Sequence, residues 1–183
     1  MRSPGRVNPM SVRSKSALAQ ALLSELMKKE LCDISISDIT ERAGLSRQTF
    51  YTNFSKKEDI LIFLLNGLFA KYSKQLPAMI STPKNFIIDY LIFWDGNKEF
   101  ISLLFSRGLG YLFQDRNRTF FMEESSRLNS ICSAEPWQLP YIKASLAGLT
   151  YELLHLWISK DQGLSVNVLT NLAGNLLSGK IFV

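Results

Sequence analysis

The sequence predicts an all-α protein in which an N-terminal three-helix helix-turn-helix domain precedes a C-terminal helical bundle. Residues 35–59 contain three helix-start patterns in a row. Apolar residues then recur at helical spacing through most of the chain, and no alternating pattern typical of strands appears. We expect residues 1–57 to form the first domain, with an N-terminal arm, and residues 58–183 to form the second.

Two helices joined by a tight turn are predicted at the start of this stretch. Ser35 is placed to cap a helix, with Asp38 three residues later in capping-box position. Gly44 follows where a left-handed residue ends many helices. Ser46 then caps a short helix over residues 47–54. This order is that of a helix-turn-helix, whose second helix enters the DNA major groove.

The third pattern predicts a long helix over residues 56–76. Ser55 is expected to cap it, with Glu58 completing a capping box. Lys56 and Lys57 then lie in the first turn, where the helix dipole disfavours cations. A DNA phosphate bound at this helix end would compensate their charge.

The short helix has one apolar side and one polar side. At about 100° per residue, Phe50 and Phe54 share the buried side. The outward and flanking side chains can all hydrogen-bond to base edges or phosphates: Arg47, Gln48, Thr49, Tyr51, Thr52 and Asn53. A merely solvated face is the alternative, but it would carry more Lys and Glu, so we expect DNA binding.

Residues 34–61 read ISISDITERAGLSRQTFYTNFSKKEDIL, with an Ala-Gly turn and a Thr-aromatic-Tyr core. This run, and the chain over about residues 13–65, resembles the DNA-binding domain of the TetR family of bacterial transcription regulators. The resemblance implies that Thr49, Tyr51 and Lys57 contact phosphates. It also implies that the remaining polar residues of the short helix face bases or nearby backbone. Asn53 departs from the pattern, since the family often has His or Tyr there.

Composition and charge are those of a soluble globular protein. The 183 residues are 46% hydrophobic and 20% charged, with a net charge of +5. Residues 1–60 hold 10 Lys and Arg against 7 Asp and Glu, whereas residues 61–183 hold 11 against 9. The positive excess is therefore denser at the N-terminal end, as a DNA-binding domain requires.

Nothing in the sequence predicts export or a membrane span. The arginines near the N-terminus are followed by no apolar segment, and no run of about 18 apolar residues occurs. Two cysteines, Cys32 and Cys132, are too few for a disulfide framework, so we expect a reduced, cytoplasmic protein.

The N-terminal segment is basic. Arg13 and Lys15 lie near a helix start and are equally compatible with a solvated tail and with an arm that reaches DNA. For Arg2 and Arg6 we expect a solvated tail.

The remaining helices are placed by apolar periodicity. The expected helices cover residues 12–29, 83–94, 97–106, 109–129, 140–160 and 165–177. Pro77 is expected to end the long helix, and Asp95-Gly96 and Arg107-Gly108 read as breaks.

Catalysis has little support in the sequence. His155 is the single histidine, and no set of residues has the spacing of a metal site. No phosphate-binding loop, nucleophile elbow or dinucleotide fingerprint occurs. We therefore expect no enzyme activity, no metal and no cofactor, unless folding assembles a cluster that the sequence does not reveal.

The C-terminal half is rich in aromatic residues, with 18 of the chain's 21 lying after residue 60. Plain core packing accounts for most of them, but aromatic bundles with a few polar groups also line ligand pockets. Arg107 and His155 are the polar residues of interest, although no pocket residue is assigned. The TetR resemblance implies a small-molecule effector in this half.

The last two helices predict a dimer interface. Ala144, Ala147 and Gly148 would let backbones approach closely. The apolar residues expected in the interface are Leu149, Leu153, Leu156, Trp157, Leu169, Leu172 and Leu176. In a monomer these helices would expose a large apolar patch, whereas twin helices would cover it isologously. The alternative is that both helices pack only inside one chain.

Together these patterns predict a transcription regulator that binds a palindromic operator as a homodimer. We expect repression, released by a small-molecule effector, although the sequence leaves activation open. A nucleoid-type or protein-interaction module without sequence preference is one alternative, and an enzyme is another.

Overall fold

A computed structural model of the chain describes residues 9–76, 82–123, 134–160 and 163–181. All long regular elements in these ranges are helices, which confirms the predicted all-α class. The chain divides into two compact units, which separate after Gly67.

The first unit is built from α1 to α3 and the beginning of α4. The bounds are α1 Pro9–Leu26, a 3₁₀ turn Leu31–Asp33, α2 Ile36–Ala43, α3 Arg47–Asn53 and α4 Lys57–Gln75. Helix α1 ends three residues before the predicted end at residue 29. The backbone N–H of Lys28 donates to Glu25 O at 2.9 Å, a turn-type bond that interrupts the α-helical pattern.

Helix α4 runs through the division between the units. Ile60 and Leu61 in its first half are fully buried. The Phe63 ring centroid lies 5.9 Å from that of Phe54. Because this half of α4 packs with the first unit, the unit extends to Gly67, beyond the boundary expected after residue 57.

The second unit continues from α4 with five further helices in the described residues. They are α5 Pro83–Asp95, α6 Lys98–Ser106, α7 Gly110–Glu123, α8 Leu139–Ser159 and α9 Val166–Leu177. Helix α9 packs on α5, α7 packs on α8, and α6 contacts both α7 and α8.

The predicted bounds of the helices from α4 onward agree with the structure to within one residue wherever both can be compared. The predicted breaks after Asp95 and after Arg107 are confirmed. Pro77, Cys132, Arg2, Arg6 and the end of the predicted helix 109–129 lie outside the described residues.

Aromatic side chains fill the centre of the second unit. The Trp94 ring lies 4.8 Å from Phe113 and 5.1 Å from Phe69 between centroids. Phe69 in turn lies 5.2 Å from Phe120. All four side chains are almost fully buried and form part of the core of this unit, whereas Tyr111, Trp137 and Tyr141 are exposed.

A buried polar network links three helices inside this core. The Tyr90 hydroxyl on α5 donates to Asn117 Oδ1 on α7. Asn117 Nδ2 donates to Ala147 O at 2.8 Å and to Thr150 Oγ1 at 3.3 Å, both on α8. Burial raises the pKa of Tyr90 well above its usual value, so its phenol stays protonated and remains a donor.

Replacing Asn117 by alanine should remove this link. The Tyr90 hydroxyl would stay buried without its acceptor, whereas Ala147 O would keep the Thr150 hydroxyl as a donor, so we expect the free energy of unfolding to fall by about 1–3 kcal/mol. Urea unfolding measures the change. Thr119→Ala, at an exposed position on the same helix, is the matched control and should change the free energy by less than about 0.5 kcal/mol. An Asn117→Ala value as small as the control would contradict this account.

Candidate nucleic-acid interface

The turn between α2 and α3 has the geometry of a helix-turn-helix. Ser35 Oγ accepts the Asp38 N–H at 3.0 Å, and Asp38 Oδ2 accepts the Ser35 N–H at 2.9 Å, which confirms the predicted capping box. Gly44 ends α2 with φ of 64°, a left-handed conformation that strains any residue with a side chain. Leu45 N donates back to Thr40 O at 2.9 Å, so the chain reverses within two residues.

Helix α3 is held by its ends and by one ring. Ser46 Oγ accepts the Thr49 N–H at 3.1 Å, which confirms the predicted cap. Phe50 is fully buried, and Phe54, directly after the helix, packs its ring 6.2 Å from that of Phe50. The predicted buried side of this helix is therefore confirmed, and its polar side is fixed in orientation.

Four of the predicted DNA contacts are exposed on that polar side: Arg47, Gln48, Tyr51 and Thr52. The Thr52 hydroxyl donates to Gln48 O at 2.9 Å, which leaves its oxygen free to accept. Thr49 is half-buried, with its hydroxyl 2.9 Å from Ser46 Oγ. Across the described residues, no hydrogen bond or ion pair occupies the side chains of Arg47 and Gln48, so both are available to a ligand.

Asn53 has internal partners on both sides of its amide. Ser11 Oγ on α1 donates to Asn53 Oδ1 at 2.8 Å. Asn53 Nδ2 donates to Thr49 O, also at 2.8 Å. The amide thus ties the start of α1 to the end of α3, and a base contact would have to compete with these bonds.

Lys57 is also held from within. Its ammonium donates to Leu31 O and Ile34 O, at 2.6 Å each. These carbonyls lie at the 3₁₀ turn between α1 and α2, so the half-buried Lys57 side chain fixes the first residue of α4 to that turn. One of its three N–H groups remains free.

The predicted capping box at the start of α4 is wrong. Asp59, and not Glu58, provides the carboxylate, since Asp59 Oδ2 accepts from Ser55 N at 2.9 Å and from Lys56 N at 3.0 Å. The helix begins at Lys57, which makes Asp59 its third residue. An internal carboxylate therefore binds the two backbone N–H groups directly before this helix, those of Ser55 and Lys56.

Charged side chains connect α1 to α2 beside the turn. Arg42 Nε lies 2.5 Å from Glu25 Oε1, and Lys29 Nζ lies 3.5 Å from Glu25 Oε2 and 3.8 Å from Asp38 Oδ2. The hydrogen bond from Arg42 holds the pKa of Glu25 below its usual value. The backbone N–H of Ser35 does the same for the pKa of Asp38. Both carboxylates stay ionised at neutral pH and hold the two helices together.

An open groove of about 290 Å³ runs between the start of α1 and the polar side of α3. It is lined by Met10, Ser11, Ser14, Gln48, Thr49, Thr52 and Asn53. Arg13 is exposed nearby in sequence, whereas Lys15 Nζ lies over the rings of Phe54 and Phe63, at 5.8 and 5.7 Å from their centroids.

The predicted interface residues of α8 and α9 fall into two groups. Leu153, Trp157 and Leu169 are buried within their own chain, as core side chains. Leu156 is 47% exposed and Leu172 43% exposed, while Leu149 and Leu176 are half-buried. The apolar periodicity did not single out Val168, which is 50% exposed beside Leu172.

The two polar residues of interest in this unit lie on different elements, His155 on α8 and Arg107 directly after α6. His155 stacks on Tyr151, with centroids 5.7 Å apart, and lies 5.0 Å from the Phe105 ring. Burial raises the pKa of Tyr151. Arg107 is half-buried at the end of α6.

Within the described ranges, no three His, Cys, Asp or Glu side chains are placed to hold a metal ion. Nor is any helix in those ranges long and apolar enough to cross a membrane.

Sequence comparison matches the first unit to DNA-binding regulators. Residues 28–62 match the family described as "Bacterial regulatory proteins, tetR family". Over 67 residues, the chain is 36% identical to the HTH-type transcriptional regulator EthR of Mycobacterium tuberculosis. That match covers 37% of this chain and 30% of EthR, so it spans less than a third of this relative.

Solved structures share the fold over nearly the whole chain. Lin0861 from Listeria innocua superposes with a TM-score of 0.73 at 16% identity, covering 99% of this chain and 96% of that one. The dihydroxyacetone kinase operon activator DhaS superposes with a TM-score of 0.61 at 20% identity, covering 93% and 97%. At these identities the similarity establishes the all-helical fold alone.

A double-mutant cycle on Ser11 and Asn53 tests the tie between α1 and α3. Because the two side chains share one hydrogen bond, the effects of Ser11→Ala and Asn53→Ala on the free energy of unfolding should couple by about 0.5–1.5 kcal/mol. Ser14→Ala is the control, since the Ser14 hydroxyl lines the same groove but donates to Met10 O. It should add independently to Asn53→Ala, and equal coupling of both serines would exclude a specific tie.

Proposed function

We propose that this chain is a helix-turn-helix transcription regulator of the TetR family, whose family model residues 28–62 match, and that it binds a palindromic DNA operator as a homodimer. It acts in the cytoplasm, as a repressor that a small-molecule effector releases. Its relatives are regulators and not enzymes, and we propose no catalytic activity for it.

The polar side of α3 is the observation that carries the proposal. The buried Phe50, the Ser46 cap and the Gly44 turn hold this helix, while the side chains of Arg47 and Gln48 are exposed and have no partner among the described residues. Side chains fixed at the backbone and free at their tips suit a major-groove surface, where base edges offer hydrogen-bond donors and acceptors.

The polar residues of α3 are assigned to bases or phosphates by their position around the helix. Gln48 and Thr52 point furthest from the Phe50 side, so we assign them to base edges, with Arg47 beside them on a flank. Tyr51 and Thr49 are assigned to phosphates, which position the helix without reading sequence. Asn53 contributes chiefly by joining α3 to α1, because both edges of its amide are already bonded.

Dimerisation is supported by the exposed apolar residues of α8 and α9. Leu156, Val168 and Leu172 are each more than two-fifths exposed. Ala144 and Gly148 are exposed on α8 as well, so a second backbone could approach closely there. Twin α8–α9 pairs related by a two-fold axis would cover these residues and present two copies of α3 to DNA.

Release by an effector would work by population shift. An effector bound in the second unit would favour a dimer whose two α3 helices no longer match the half-site spacing, and DNA affinity would fall by the differential binding free energy. Repression is the simplest outcome of binding an operator, although DhaS, which shares the fold, is described as an operon activator.

Replacing Gln48 by alanine tests base reading. A base contact discriminates between sequences, so Gln48→Ala should relax preference at one position in each half-site by about 1–3 kcal/mol and leave binding to random DNA unchanged. Binding selection on randomised duplexes, with affinities at fixed salt, measures both. Gln20→Ala, on the exposed side of α1, is the control. Equal weakening on every sequence would contradict the assignment of Gln48.

Charged substitutions test the dimer at its exposed residues. Leu156→Glu with Leu172→Glu should give monomers that fold normally, because neither side chain belongs to the core, and operator affinity should fall sharply. Ile92→Glu, at a 49% exposed position on α5, should stay dimeric. Leu153 is unsuitable because it is buried. Light scattering that finds the unmodified 20.8 kDa chain monomeric at micromolar concentration would contradict the proposal.

A further inference from the structure

One lysine of the second unit lies on the inward side of its helix. Lys143, in the second turn of α8, is only 8% exposed. It belongs to the same buried stripe as Leu146, Ala147 and Thr150. Lysine is almost never buried to this extent unless a partner neutralises its ammonium group. The partner has to come either from the surrounding helices or from a ligand.

The surrounding helices offer no such partner in the part of the chain that the structure describes. There, the Lys143 side chain makes no hydrogen bond, ion pair or contact with an aromatic face. The first turns of α5 and α8 contain no acidic residue. At the end of α7, the Glu123 carboxylate already pairs with Arg116, at 3.0 Å. Lys143 is therefore a buried cation without an internal counter-ion among these residues.

Apolar rings surround this level of the bundle. Asn117 on α7 donates to Ala147 on α8, and the two helices run antiparallel. The next turn therefore places Phe121 level with Lys143. The Phe121 ring is fully buried, and its centroid lies 5.6 Å from that of Phe86 on α5. These rings cannot solvate an ammonium group as water does, so the charge favours an anion beside it.

The start of α8 favours a negative charge in the same place. Side chains of an α-helix lean toward its N-terminus, so the stem of Lys143 extends toward the first turn of α8. No side chain caps that turn, and its backbone N–H groups carry the positive end of the helix dipole. An oxyanion bound there would interact with the buried ammonium and with the dipole together.

We infer that the start of α8 binds the carboxylate of a small apolar acid, with Lys143 as its counter-ion. A carboxylate fits better than a phosphate, because one ammonium balances one negative charge and a dianion would bring an uncompensated charge into apolar surroundings. The inference rests on the proposed release by an effector, and it gives that effector a chemical class. Without the ligand, Lys143 costs the fold stability.

Lys143→Met tests the missing counter-ion without any ligand, since it keeps the length of the side chain and removes its charge. Because no internal ion pair is broken and an uncompensated charge is removed, the urea midpoint should rise. Lys160→Met, at the exposed C-terminal end of α8, is the control and should not raise the midpoint. An unchanged or lower midpoint in Lys143→Met would mean that the ammonium already has water or an internal partner, and would overturn the inference.

Calorimetry with sodium octanoate and the full chain tests the carboxylate. Lys143→Met should bind octanoate at least about tenfold more weakly than the unmodified chain, as expected for a lost hydrogen bond between charged groups. Lys160→Met should bind it equally well. Octan-1-ol, which lacks the charge, and inorganic phosphate, which lacks the apolar chain, should both bind more weakly than octanoate. No binding of octanoate, equal binding by Lys143→Met, or equal binding of phosphate would each contradict the site.

DNA affinity is measured separately, on a selected operator duplex with and without octanoate, so that the site and the proposed function can fail independently. Octanoate that binds through Lys143 and lowers operator affinity supports both. Octanoate that binds through Lys143 and leaves operator affinity unchanged supports the site and contradicts release by this class of effector. A chain that binds its operator but not octanoate overturns the site and leaves the proposed DNA binding intact.

Discussion

Burial of Phe50 is the interaction on which the candidate interface depends. Helix α3 has seven residues, too few to be stable in isolation, so its position must come from packing. The fully buried Phe50 ring supplies that packing, with Phe54 against it. The Ser46 cap and the left-handed Gly44 set the angle at which the helix leaves α2. With its inward side fixed, Arg47, Gln48 and Thr52 are exposed on the opposite side of α3, whereas Asn53 turns toward α1.

Local chemistry explains why so much of this unit could be predicted from sequence. Caps at Ser35 and Ser46, the turn at Gly44 and the inward side of α3 depend on residues within four positions of one another, and all are confirmed. The cap of α4 was predicted wrongly by one residue. Both Glu58 and Asp59 are acidic. Because the helix begins at Lys57, Asp59 is its third residue, and its carboxylate accepts from the N–H groups of Ser55 and Lys56.

The rest of the site depends on contacts that no local pattern encodes. Ser11 meets Asn53 across 42 residues, and Lys57 meets Leu31 across 26. Both contacts use side chains that the sequence analysis assigns to DNA.

The same limit applies to α8 and α9. Periodicity finds apolar residues on these helices, but a helix with a broad apolar surface gives no sign of which part packs inside its own chain. The buried residues are Leu153, Trp157 and Leu169. The exposed residues are Leu156, Val168 and Leu172.

Under the proposed function, the first unit presents α3 to DNA, and the exposed apolar residues of α8 and α9 form the contact between two copies. Two recognition helices related by a two-fold axis must meet the major groove about 34–36 Å apart, or at a multiple of that distance. Hydroxyl-radical footprinting on a duplex obtained by binding selection tests this most directly. The account predicts two protected half-sites in inverted orientation, with centres about 10–10.5 base pairs apart or a multiple of that spacing. A single unrepeated half-site, or uniform protection along the duplex, would contradict it.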